Sequence, residues 1–123
     1  MKKLNLSLLI LVMASFLFVG CKKSPEDLAV KFVKLYSNCE FKKAAQLGDK
    51  DTKEFMNFVQ SMTSEEEIKN SKKKISSIKV VETNIEDDTA EVTLSITEEG
   101  GEPEEQDIKL VKVNGDWKVH FTK

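Results

Sequence analysis

The stretch Ile108-Lys109-Leu110-Val111-Lys112-Val113-Asn114-Gly115-Asp116-Trp117-Lys118-Val119-His120-Phe121 decides the fold. Asn-Gly is the strongest short hairpin signal, because both turn residues must take positive φ and these two residue types do so at least cost. With Asn114-Gly115 as the loop, Lys112 pairs with Trp117, Leu110 with Val119 and Ile108 with Phe121. That register gathers the apolar residues of both strands on one face and puts Lys118, His120 and Thr122 on the other. His120, the only histidine, is therefore expected on the solvent face and not in a site.

Upstream the same period of two continues. Ala90, Val92, Leu94 and Ile96 alternate with Thr89, Glu91, Thr93, Ser95 and Thr97, and Ile78 and Val80 precede them. The region from Ile75 onward thus predicts a four-stranded antiparallel meander with one apolar face, which another layer must cover.

The segment before it supplies that layer. Ser24-Pro25-Glu26-Asp27 combines a side-chain cap, a proline at the first helical position and acids in the first turn, so a helix is expected from there to about Asn38. Leu28, Phe32, Leu35 and Tyr36 share its apolar face. A short helix over 40–47 is expected to break at Gly48-Asp49-Lys50-Asp51, and Thr52 to cap a third with Phe55, Met56, Phe58, Val59 and Met62 in its stripe. Ser64 with Glu67 forms a capping box, but 65–74 has only Ile68 as an apolar anchor and reads as a short helix leading into a solvated connection. The fold class is α+β, with N-terminal helices packed on a curved four-stranded antiparallel sheet.

The leader carries the most specific signal. Lys2 and Lys3 precede an apolar run from Leu4 to Val19, followed by Gly20 and Cys21. This predicts a signal peptide over 1–20, a short tether over 21–23 and a single domain over 24–123. Leu17-Phe18-Val19-Gly20-Cys21 resembles the lipobox of bacterial lipoproteins, with Phe18 where Leu is usual. The resemblance implies lipidation at Cys21 and membrane attachment through acyl chains, each buried methylene adding about 0.8 kcal/mol. Lys22 stands in place of the retaining Asp of many such lipoproteins, so the resemblance implies an outer membrane over an inner one, if the cell has one. Cys39 is then left alone, without a disulfide partner, and at helical spacing from Leu28, Phe32 and Leu35 it reads as a small buried hydrophobe. The chain has 19 lysines, no arginine and 21 acids. After loss of Lys2 and Lys3 the charge is 17 minus 21, or −4, which excludes a dominant basic field for nucleic acid.

The capped first helix ending near Tyr36, the stretch Cys39-Glu40-Phe41-Lys42-Lys43-Ala44-Ala45 and the terminal Asn-Gly hairpin with Trp117 resemble a known group. It comprises small bacterial lipoproteins of unknown function in the nuclear-transport-factor-two-like superfamily, also called cystatin-like or ketosteroid-isomerase-like. The resemblance implies a cone of sheet around a long helix, and a superfamily containing enzymes, ligand binders and interaction modules. Its enzymes use Asp, His or Tyr inside the cone. Here the inward strand positions offer Glu82 and Lys112, with Tyr36 above them, so Tyr36, Trp117 and Lys112 are the candidate ligand pocket and no catalytic set is matched.

Glu98-Glu99-Gly100-Gly101-Glu102-Pro103-Glu104-Glu105-Gln106-Asp107 lacks the ligand spacing of a calcium loop and reads as an open connection. Lys72, Lys73 and Lys74 are offset by Glu65, Glu66 and Glu67 as a headgroup-binding patch. No metal or cofactor is expected. The expected function is a membrane-anchored envelope lipoprotein with a non-catalytic domain that binds a protein partner or a small apolar ligand, with the sheet as a route to a homodimer. A small isomerase- or dehydratase-like enzyme using the cone is the alternative.

Overall fold

The computed structural model describes residues Lys23–Thr122. Cys21, on which the lipidation reading rests, lies outside the described residues. Four helices come first: α1 (Pro25–Ser37), α2 (Phe41–Ala45), α3 (Lys50–Met62) and α4 (Glu65–Ser71). Four strands follow: β1 (Ile75–Glu86), β2 (Thr89–Glu98), β3 (Glu104–Val113) and β4 (Asp116–His120). The sheet is antiparallel in the order β1-β2-β3-β4, the expected meander.

The Asn-Gly turn forms as its chemistry requires, with Asn114 at φ 54° and Gly115 at φ 84°. Leu110 pairs with Val119 and Lys112 with Trp117. The expected Ile108–Phe121 pair does not form, because β4 ends at His120 and the Phe121 amide donates to Thr52 Oγ1 at 2.7 Å. On β1 the register slips between Val80 and Glu82, so Glu82 falls opposite Thr93 while Val80 stays opposite the buried Leu94. This bulge turns Glu82 to the outer face and corrects its inward placement. Two adjacent apolar residues, Val80 and Val81, hide the slip from a simple alternation reading.

In α1, Ser24 Oγ accepts from the Asp27 amide as the cap signal requires. The helix closes at Cys39, which takes φ 59° and sends its amide to Tyr36 O at 3.0 Å. The third helix is capped differently from expectation: the cap is Asp49, whose Oδ1 accepts from the Thr52 amide at 2.9 Å. Thr52 stands inside the first turn, fully buried.

The core lies between α1, α2, α3 and the inner sheet face, with Phe32, Met56, Val92, Leu94, Ile108, Leu110 and Val119 excluded from water. Of the aromatics expected there, Phe55, Trp117 and Phe121 pack only partly against it, and Phe58 is 60% exposed. The α3 stripe is thus wider than the surface available to cover it. Phe58 and Met62 lie on its uncovered side.

Candidate functional site

Two constellations stand out, one a cavity and one a polar cluster. The cavity opens at the end of the sheet that carries the β2–β3 turn, between that end and the C-terminal half of α1, and has a volume of about 740 Å³. Its floor is aromatic. The Phe32 and Phe121 centroids are 5.1 Å apart, and Tyr36 sits 5.2 Å from Phe121 and 5.6 Å from Phe41. The α1 apolar spacing places Phe32 and Tyr36 one turn apart on the same face, stacked at 6.1 Å. Phe121 joins them because it leaves the β4 ladder, and its ring replaces the cross-strand contact it would have made.

The rim is polar. Glu104 and Gln106 pair with Ile96 and Leu94, so both belong to the inner face of β3. Together with Glu98, Glu102, Glu105 and Lys73 they line the opening. Lys73 Nζ is 3.4 Å from Glu98 Oε1, its amide donates to Ser37 O, and the Glu99 amide donates to Lys74 O. The connection read as solvated therefore braces the end of α1 against the end of β2. The segment 98–107, read as an open loop, contributes Glu104–Asp107 to β3.

Tyr36 lines this cavity, 36% exposed, and Cys39 lines it as a half-buried free thiol. Trp117 and Lys112 are not brought to it. They face each other near the Asn-Gly end of the sheet, with Lys112 Nζ 5.1 Å from the Trp117 ring centre. The candidate trio thus divides into a cavity residue and a separate cation–π pair. The signal that could have found the inner polar residues was the parity of β3, since Glu104 and Gln106 share the phase of Ile108 and Leu110.

The second constellation ties β4 to α3. Gly48 bridges Val119 in parallel, the Asp49 amide donates to Val119 O, and the Val119 amide donates to Leu47 O, each hydrogen bond 2.9 Å long. Thr52 Oγ1 lies 2.7 Å from Asp49 Oδ1 and 2.9 Å from Val119 O, and accepts from the Phe121 amide. Gly48 is required by close approach: a Cβ there would collide with Thr52 Cγ2 and Cβ. His120 Nδ1–H donates to Asp49 Oδ2 at 2.6 Å, with 35% of the histidine side chain exposed. His120 does leave the inner face as the alternation requires, yet it is engaged and not a bare surface residue. Burial pushes the Asp49 carboxyl upward, but hydrogen bonds from Thr52 and His120 outweigh it and hold the group below the ordinary carboxylate range. On the surface, hydrogen bonds from Asn38 and Lys43 hold the Glu40 carboxyl low.

Among the described residues, no group of three or more His, Cys, Asp or Glu side chains is placed to hold a metal. No helix among them is long and apolar enough to cross a membrane.

Comparison with solved structures finds a Campylobacter jejuni protein, provisionally named an NTF2-like transpeptidase, with a TM-score of 0.62 and 19% identity. The match covers 81% of this chain and 100% of that one. At that identity the likeness is one of fold, and it agrees with the helices-then-meander order: the domain has the fold of that NTF2-like, or nuclear-transport-factor-two-like, protein. None of the curated proteins matches. Residues 19–120 match the model of the domain of unknown function DUF4878, and the chain belongs to that family.

Proposed function

We propose that this protein is held at a bacterial envelope membrane by lipid on Cys21, and that its domain binds a ligand or partner segment in the cavity without transforming it. The observation that carries the reading is the aromatic-floored opening of about 740 Å³, a volume suited to small-molecule binding. The placement of the single histidine supports binding over catalysis. His120 is engaged by Asp49 and does not line the cavity. The anchor rests on the lipobox resemblance of 17–21, and Lys22 favours an outer membrane.

A second reading, a small enzyme in the cone, draws on Tyr36, Gln106 and Cys39 lining one cavity. The name of the Campylobacter jejuni protein adds to it, since peptide transfer through a covalent intermediate would need a nucleophile such as Cys39 with a base beside it. Nile red titration of the mature chain separates the outcomes. Saturable blue-shifted emission that Tyr36→Ala weakens is expected, and emission unaffected by Tyr36→Ala would remove the cavity as the binding site. Acylation of Cys39 by an activated ester at a rate far above that of free cysteine would favour the enzyme.

A further inference from the structure

We propose that the cavity selects a small ligand with an apolar body and a positively charged nitrogen, a primary or quaternary ammonium. This rests on the binding role above and adds the chemical class of the ligand. Two features of the cavity carry it. First, its floor is formed by the accessible rings of Tyr36 and Phe121, 5.2 Å apart and backed by the buried Phe32 and Phe41. Ring faces hold apolar bodies and attract cations within about 6 Å of the centroid. Second, the same walls carry Glu98, Glu102 and Glu104 against Lys73, the one cationic side chain among the described lining residues.

Lys73 already lies 3.4 Å from Glu98, so the remaining carboxylates at the opening face no lining cation. Glu104 matters most, because its pairing with Ile96 sets it on the inner face, beside the apolar floor. An entering anion meets this field with only the Glu98-paired Lys73 as counter-group, a neutral molecule gains only the apolar contact, and an ammonium gains both. A concave wall of low polarizability strengthens the discrimination by focusing the field. The size of the opening suits a small molecule better than a protein surface, which needs a broad face of about 800 Å² per partner.

Calorimetric titration of the mature chain, residues 21–123, tests this with three probes on one scaffold: 4-butylbenzylammonium, 4-butylbenzyl alcohol and 4-butylbenzoate. The expected order is ammonium, then alcohol, then benzoate, with the ammonium about tenfold tighter than the alcohol at low salt and the gap narrowing as salt screens the rim. Glu102→Gln with Glu104→Gln should bring the ammonium down to the alcohol while leaving the alcohol unchanged, which also shows that the variant is folded. Tyr36→Ala should weaken both. Equal affinity of ammonium and alcohol in the unaltered chain overturns the charge selection and leaves the binding role standing. Failure of both to bind overturns the binding role itself.

Discussion

Asp49 does three jobs with one side chain: it caps α3, meets the Thr52 hydroxyl and accepts from His120. Because its carboxyl is held low in the folded state, the charged form is the one the fold prefers. Its stabilising effect is therefore present above the unfolded value of about 3.9 and is lost as pH falls through the lower folded value. The urea midpoint of the unaltered chain should drop as pH is taken from about 5 towards 2, and Asp49→Asn, which keeps a capping side chain, should drop less steeply. Identical slopes would show that the carboxylate charge is not what the site uses. Gly48 tests the same place sterically. Adding a methyl that meets Thr52 should cost about 1–3 kcal/mol in Gly48→Ala by urea unfolding, and an unchanged midpoint would mean that the clasp opens freely.

At the scale of elements, what could be read from the sequence followed from local rules. The Asn-Gly hairpin and the Ser24-Pro25 start are fixed by backbone chemistry within a few residues, and both form. The β1 bulge, set opposite Thr93 and Leu94, and the departure of Phe121 from β4 towards Thr52 depend on partners distant in sequence, which no local period encodes, whereas the Asp49 cap is a local bond to the Thr52 amide between two residue types that both form caps. The cavity was only half legible: Tyr36 came from the helix stripe, whereas the inner polar residues were absorbed into a presumed loop. The two faces of this layering differ in energetic weight. Phe32, with no exposed surface, should cost about 3–5 kcal/mol on change to alanine. Trp117→Ala, at a half-buried ring outside the cavity, should cost less by the same denaturant measurement. A larger loss at Trp117 would relocate the core towards the hairpin end. Phe58→Ser, on the uncovered side of α3, is expected to shift stability within about 0.5 kcal/mol.

For the whole molecule, the proposed anchor and the cavity are separable. Cys21→Ala should abolish incorporation of labelled palmitate and leave a precursor of higher mass, while circular dichroism of the domain stays unchanged, since the core residues run from Leu28 to Val119. Palmitate in that variant would place the lipid elsewhere. The clasp between 47–49 and 119 also sets a timetable for synthesis. A chain that emerges from its N-terminus makes α1 to α3 early, yet Thr52 and the amide of Asp49 receive their strand partners only when Val119 and Phe121 arrive. Until then the apolar sides of Phe32 and Met56, buried in the finished fold, are open to water. The chain therefore stays unlocked until β4 is made, so a chain cut before Val119 lacks the hydrogen bonds that join the start of α3 to the sheet.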